Sequence, residues 1–269
     1  MYIEMSSKEE VKMKVWESEE AKGVFVIVHG ANEYHGRYEW LVKKLTTVGY
    51  HVVMGDLPGQ GENPKYKGHV DSFLEYITTI EQWYERAKHY NLPIFLLGHS
   101  MGGLAVIQTM LKRDLKVDGV ILSSPCLGLV NPPSKLKHFG ASLLNKVTPK
   151  FRLPTDLAPG TRCKEMLKRD EDDPHIVKKV SVRWYYELSN AMEDSHNEVK
   201  NFPNVPLLVL QGGEDLIVDK EMVTRWFNQL VISEKYYKEW PGLYHEVFNE
   251  PEKERVFHVA KSFAQMHVN

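Results

Sequence analysis

The chain's 269 residues, 42% hydrophobic and 26% charged, fit one large domain, or a domain with an insertion, able to bury a sizeable core. A formal net charge of -2 argues against a nucleic-acid partner, and two cysteines outside any C-x-x-C pair argue against a zinc site or disulfide framework. No signal-peptide pattern opens the chain and no apolar run approaches the roughly 20 residues of a membrane span, so a soluble, cytoplasmic protein is expected.

In chain order, Gly23-Val-Phe-Val-Ile-Val28 is a continuous, β-branched run of the kind buried in a parallel sheet, ended by His29-Gly30. Residues 36–48 read as a helix with Trp40, Leu41, Leu45 and Val48 on one face. His51-Val-Val-Met54 is the next strand, and Asp56-Leu-Pro-Gly-Gln-Gly61 a loop by its Pro and Gly content. A long helix over about 71–90 repeats Phe73, Ile77, Ile80 and Tyr84 at helical spacing. Ile94-Phe-Leu-Leu97 is a strand, 101–113 a helix, and Val117 to Leu122 another strand. Later, Val205-Pro-Leu-Leu-Val-Leu210 and Lys235-Tyr-Tyr-Lys-Glu-Trp240 read as strands, with helices near 219–231 and 251–267. This alternation predicts an α/β protein with a mostly parallel central sheet and helices on both faces.

Residues 127–200 break the rhythm. They open with Asn131-Pro-Pro133, hold Pro149, Pro154, Pro159 and Pro174, and are helical or irregular in pattern. Structureless loops beyond about 12–15 residues are uncommon, so an inserted helical cap is expected, with residues 1–126 and 201–269 as the core. Trp184, Tyr185 and Tyr186 argue against disorder; Trp184 and Tyr185 would wall a pocket or fill the cap's own interior. Leu136, Phe139, Leu143, Leu144 and Val147 share a helical stripe, with Lys135, Lys137 and Lys146 off it. Such a stripe would pack on the core, wall an apolar pocket, or present a basic face to a membrane surface. Lys150, Arg152, Arg162, Lys164, Lys168 and Arg169 outnumber Asp156 and Glu165 nearby. Asp170-Glu-Asp-Asp173 follows at once and would pair with them in solvent.

Gly98-His99-Ser100-Met101-Gly102 fits G-x-S-x-G between an apolar run and a helix, the pattern of a nucleophile elbow. A serine on so sharp a strand-to-helix turn has strained backbone angles and tolerates only glycine two residues to either side. The turn lifts Oγ above the sheet and aims the Met101 amide at a developing oxyanion. A neutral serine needs a histidine oriented by a carboxylate, in the chain order serine, acid, histidine. Downstream of the strand ending at Leu210, Glu214, Asp215 and Asp219 compete for the acid. Asp219 reads as the N-cap of the following helix, which favours Asp215. Of the 12 histidines only His245, His258 and His267 follow; the latter two lie in or after the last helix, which favours His245. The loop His29-Gly30-Ala31 is placed to offer the Ala31 amide as a second oxyanion donor, with His29 bonding the loop. Asp56-Leu-Pro-Gly-Gln-Gly61 lacks the Lys-Ser/Thr of a phosphate loop and reads as a tight turn in which Asp56 binds local amides.

His29-Gly-Ala-Asn-Glu-Tyr-His-Gly-Arg-Tyr38, Asp56-Leu-Pro-Gly-Gln-Gly61, Leu97-Gly-His-Ser-Met-Gly-Gly103, Asp215 and Tyr244-His245 together resemble the monoglyceride lipase and lysophospholipase branch of the α/β hydrolases. The wording is also similar to Bacillus phospholipase-like members of that branch. The resemblance spans nearly the whole chain. It implies hydrolysis of a single acyl ester in a monoacylglycerol or lysophospholipid, under a helical cap that houses the acyl chain. It places Glu33 and Arg37 at the polar, glycerol-side end of the pocket, where a salt bridge that merely shapes the loop is the competing reading. Some relatives carry a second histidine three residues after the catalytic one; here that position is Phe248, so a less polar head-group end is expected.

The reaction so read is a two-step acyl transfer by Ser100, His245 and Asp215, with Ala31 and Met101 as oxyanion donors and no metal or cofactor. The expected partner is a small lipid ester, with peripheral membrane contact through the cap; oligomeric state is not legible. A thioesterase, a general carboxylesterase or a proline-type peptidase would use the same triad. A non-catalytic binding protein on this scaffold would lack a triad member, and all three are present.

Overall fold

The structure, a computed structural model, describes residues 13–62, 66–132, 144–155 and 158–268. Among these residues the strands are β1 (Met13–Trp16), β2 (Gly23–Val28), β3 (Tyr50–Gly55), β4 (Ile94–His99), β5 (Gly119–Ser123), β6 (Arg152–Pro154), β7 (Lys179–Ser181), β8 (Leu207–Gly212) and β9 (Lys235–Trp240). The helices are α1 (Glu39–Thr47), α2 (Leu74–Lys88), α3 (Met101–Lys112), α4 (Lys164–Asp172), α5 (Val182–Asn197), α6 (Lys220–Gln229) and α7 (Lys253–Met266). Seven strands form one sheet in the order β1-β3-β2-β4-β5-β8-β9. All pairs are parallel except β1 on β3, which is antiparallel.

Every residue of β2, β3, β4 and β8 is buried, as strands covered on both faces must be. Val24, Val26 and Val28 point to a core shared with α2, α3 and α6, which includes Trp83 and Trp226. Phe25 and Ile27 point the other way, to a core filled from α1 and α7 by Leu41, Leu45, Phe257 and Phe263. No helix of the described residues is long and apolar enough to cross a membrane.

The expected elements form, with shifted ends. The strand expected from Val117 begins at Gly119, because the Asp118 carboxylate instead accepts the Ile94 amide at 2.8 Å and closes the turn. Sequence periodicity missed β1, a short, half-buried edge strand. It also missed the antiparallel β6–β7 pair.

After β3 the chain crosses back over β2 and lays β4 on its other side, with Val28 in register with Gly98. The loops that begin at His29 and Ser100 therefore leave neighbouring strands at the point where strand order reverses, where open α/β sheets form their crevice. Between β5 and β8, which are neighbours in the sheet, the described chain builds β6, α4, β7 and α5. The stripe over Lys135, Leu136, Lys137, Phe139 and Leu143 lies outside the described residues, as does Asp156. Leu144 and Val147 fall on a helical turn and are exposed.

Candidate active site

Ser100 joins β4 to α3 at φ 53° and ψ −120°, a backbone conformation that costs a side-chain-bearing residue about 1–3 kcal/mol. The surroundings fix it. Its amide donates to the Ser123 carbonyl at 2.9 Å, and its carbonyl accepts the amides of Cys126 at 2.9 Å and Leu104 at 3.1 Å. The flanking glycines are required by contact. A Cβ on Gly98 would lie 2.6 Å from the Gly102 carbonyl, and one on Gly102 would run into the carbonyls of Val28 and His29. The head of α3 is thus pressed against the end of β2, so the Met101 amide and the Gly30-Ala31 loop meet beside Ser100. A Cβ on Gly30 would be 3.1 Å from the Ser100 Cβ. Among the described residues, neither the Ala31 nor the Met101 amide is matched to a protein acceptor.

Asp215 sits in the turn after β8 with its side chain fully buried. Oδ2 accepts from His245 Nδ1 at 2.8 Å and from Gln211 Nε2 at 3.0 Å, while Oδ1 accepts the amides of Ile217 and Val218, each at 2.9 Å. Burial pushes the Asp215 carboxyl up, and the His245 ring with these amides more than reverses it, holding Asp215 below the usual range. Burial pushes His245 down, but the Asp215 charge and hydrogen bond raise it above the ordinary imidazole value. With Nδ1–H given to Asp215, Nε2 is left as the basic nitrogen. The competitors go elsewhere. Glu214 is exposed, Asp219 caps α6 by accepting the Glu221 amide at 2.9 Å, and His267 pairs with Glu234 at 3.3 Å.

The loops after β2 and β3 interlock. His29 Nε2 accepts the Leu57 amide at 2.9 Å, so its proton is on Nδ1, which donates to the Gly30 carbonyl at 2.8 Å; burial holds the ring below the ordinary imidazole range. Asp56 Oδ1 accepts the His35 amide and Nδ1, both at 2.8 Å, and Oδ2 accepts the Glu62 amide at 2.8 Å. Burial raises this carboxyl, and the His35 hydrogen bond with the nearby charge and amides brings it down to about 2. His35, Asp56 and Glu62 bring three ligand-type atoms within 4.8 Å of one another. Both Asp56 oxygens are already taken by protein donors, His35 Nδ1 is bonded to one of them, and Lys14 Nζ lies 2.5 Å from His35 Nε2.

Glu33 and Arg37 do form the salt bridge, Oε2 to Nη1 at 3.3 Å, and both also line the cavity described below. Sequence reasoning missed what else Arg37 holds. Its Nη2 contacts Glu246 at 2.9 Å and Asp170 at 2.5 Å. Asp170 opens the acidic run expected to pair in solvent; instead it reaches the core from α4, and Asp173 accepts the Tyr34 hydroxyl at 2.8 Å. Glu246 directly follows His245, the only signal that marked it. Burial pushes the Glu246 carboxyl up and Arg37 outweighs it, holding Glu246 low. Phe248 is buried, turned away from solvent.

Ala31, Met101, Ser100, His245, Glu33 and Arg37 share the lining of one cavity of about 880 Å³. The segment between β5 and β8 completes it with apolar side chains, among them Leu153, Val177, Val182, Trp184 and Leu188. Tyr185 lines the cavity as well, and Trp184 is buried. Chemically, this is a serine and an imidazole oriented by a carboxylate in the lining of a cavity rich in apolar side chains, together with the buried ionic cluster at Arg37.

Residues 19–252 match the family described as serine aminopeptidase, S33. The chain is 46% identical over 259 residues to phospholipase YtpA of Bacillus subtilis (strain 168), covering 95% of this chain and 100% of that protein. It is 33% identical over 245 residues to monoglyceride lipase of Homo sapiens, covering 88% and 80% respectively. The crystal structure of Paleococcus ferrophilus monoacylglycerol lipase matches with a TM-score of 0.88 and 31% identity, over 96% of this chain and 99% of that one. The chain belongs to this family, and it is a serine hydrolase of the α/β-hydrolase fold.

Proposed function

We propose that this enzyme hydrolyses the carboxylic ester of a single-acyl lipid, a monoacylglycerol or a lysophospholipid, with residues 127–200 acting as a cap over the acyl chain. Ser100 attacks the ester carbonyl as His245 Nε2 takes its proton, and Asp215 fixes the tautomer. The Ala31 and Met101 amides hold the oxyanion; His245 then protonates the leaving alcohol and activates the water that releases the fatty acid. The observation that carries this reading is the single cavity in which Ser100 and His245 share a lining rich in apolar side chains with the Glu33–Arg37 ion pair. The names of the relatives, a phospholipase and a monoglyceride lipase, support the lipid class.

The membrane-facing side of the reading rests on the cap. Val147, Phe151 and Leu153 are exposed, and Lys146, Lys150 and Arg152 lie exposed among them. Leu153 also lines the cavity, so this apolar and basic rim would bring a lipid surface to the cavity mouth. A peptidase is the second reading, favoured by the family's description and by the acidic groups beside Arg37, which would suit a free amino terminus.

Hydrolysis of monoacylglycerols and lysophosphatidylcholines of increasing chain length, set beside aminoacyl-proline amides, tests both readings. Lipid esters should be cleaved, and Ser100→Ala should lower the rate by at least about 10⁴-fold. Unchanged ester hydrolysis in that variant sinks the assignment of Ser100, and a preference for the proline amides sinks the lipid class.

A further inference from the structure

The Asp56-Leu-Pro-Gly-Gln-Gly61 turn has no part in the reaction as written, yet one of its side chains reaches the oxyanion loop. We propose that Gln60 is a positioning residue that holds the Ala31 amide at its oxyanion angle and ties that loop to the cavity wall. The inference rests on the acyl-transfer reading above.

Gln60 is fully buried, and its turn leaves it little freedom: Gly59 and Gly61 flank it at φ 73° and φ 61°, and its amide donates to the Leu57 carbonyl at 2.9 Å. From there Oε1 accepts the Asn32 amide at 2.9 Å. Asn32 itself is held at φ 63°, a left-handed conformation, and its carbonyl accepts at 3.3 Å the amide of Val177, a cavity-lining residue from the segment between β5 and β8.

The geometry follows from peptide planarity. The Ala31 N–H belongs to the same rigid peptide as the Gly30 carbonyl and points opposite to it. His29 Nδ1 pins that carbonyl, and Gln60 pins the next peptide along, so both planes flanking the Ala31 Cα are set by side chains behind the site. Without the Gln60 carbonyl, the Asn32 amide is a buried donor with nothing to bind, and the loop is free to turn it, and Ala31 with it, toward another acceptor.

Behind Gln60 stands Tyr76, fully buried on α2, whose hydroxyl accepts from Trp184 Nε1 at 2.8 Å. Gln60 Nε2 faces the same hydroxyl at a looser geometry than a full hydrogen bond. Trp184 lines the cavity. A substrate chain packed on the indole therefore bears on a buried polar line that ends at the oxyanion loop.

The test is steady-state kinetics on one monoacylglycerol, together with inhibition by a trifluoromethyl ketone, which forms an oxyanion on Ser100, and by an ether-linked analogue, which does not. Gln60→Met keeps the length and removes the acceptor. Since one oxyanion donor is worth about 10²–10³ in kcat, displacing it should lower kcat by about 10–100-fold with KM within about 3-fold. Ketone affinity should fall in parallel while ether affinity holds, and Gln60→Glu, which keeps an acceptor oxygen, should restore most of kcat. A Gln60→Met enzyme with wild-type kcat, or one that loses ketone and ether affinity equally, overturns the proposal. Should Gln60→Met not fold, Tyr76→Phe carries the test, with a smaller loss of kcat and the same ketone-selective loss expected; no selectivity there overturns it equally. Wild-type protein without Ser100-dependent hydrolysis overturns the acyl-transfer reading and this one with it, whereas intact wild-type activity beside an indifferent Gln60 overturns this one alone.

Discussion

At Asp215 one carboxylate is met by four donors, whereas at Arg37 one guanidinium is met by three carboxylates, Glu33, Asp170 and Glu246. Both clusters are buried and both border the same cavity. At the first, every lone pair in use has a donor, so the carboxylate stays ionised and fixes the angle of one imidazole. At the second, carboxylates outnumber the guanidinium, and the cluster is assembled from three separate segments: the loop after β2, the turn after His245, and α4. The contrast separates a site that orients from a site that joins. Mutation of the first should alter chemistry, and mutation of the second should alter folding and the seating of α4.

The sharpest way to break that distinction is Asp215→Asn. The amide can keep the residue's shape but cannot stabilise an imidazolium and favours the wrong tautomer, so kcat should fall by about 10⁴-fold with little loss of fold. The pH profile carries the sign. In the proposed reaction His245 must be neutral to act as base, and Asp215 raises it, so wild-type kcat/KM should rise with pH through an inflection above the ordinary imidazole value of about 6.5. The residual activity of Asp215→Asn should show that inflection at lower pH. An unmoved inflection would mean that Asp215 does not set the charge state of His245.

Next in size is Arg37→Met, a change in stability rather than chemistry. Removing one partner of a buried ionic cluster costs about 3–5 kcal/mol, because the remaining charges keep their burial and lose their compensation. Urea denaturation at neutral pH should show that loss. Arg37 holds Glu246 low, so in the wild type this contribution is present above the ordinary carboxylate range and disappears as pH falls through the folded-state value. The deficit of Arg37→Met should therefore shrink on acidification, when the stranded carboxylates protonate. A deficit independent of pH would place the cost in packing of the side-chain stem instead.

The two clusters also differed in how far the chain could be read. The candidate triad of Ser100, Asp215 and His245 could be picked out because each residue lies at a fixed place in a strand-loop-helix rhythm. Their rivals Asp219 and His267 could be removed by local reasoning about caps and helix ends, as the structure bears out in the Asp219 cap. The main strands were legible because central parallel strands must be apolar on both faces. The Arg37 cluster was not. Asp170 is 133 residues from Arg37 in the chain and sits in an acidic run whose composition suggests solvent, and nothing local says which of four acids will turn inward. The edge strand β1 and the β6–β7 pair are short and carry no buried alternation, so periodicity had nothing to detect. Gln60 escaped for a related reason: a turn motif reports its own backbone, not the loop that its side chain will reach.

The smallest effect tests the joining role itself. Asp170 contacts Arg37 at 2.5 Å, which by proximity alone would make Asp170→Asn destabilising. Burial nevertheless raises the Asp170 carboxyl, and the nearby Glu246 adds to it, so that Arg37 does not bring it back to its usual range. The ionised carboxylate is then costlier in the folded protein than in the unfolded chain, and asparagine removes that cost while keeping a hydrogen-bond acceptor for Arg37. At neutral pH Asp170→Asn should leave stability unchanged or raise it by less than about 1 kcal/mol. The sign of the pH dependence follows from the raised value: any advantage exists while wild-type Asp170 is ionised and vanishes as acid protonates it. Thermal denaturation at pH 7 and pH 4 reads both points. A clear loss at pH 7 would mean that the Arg37–Asp170 contact outweighs the excess of negative charge, and that the join to α4 is held by charge rather than by the apolar lining of the cavity.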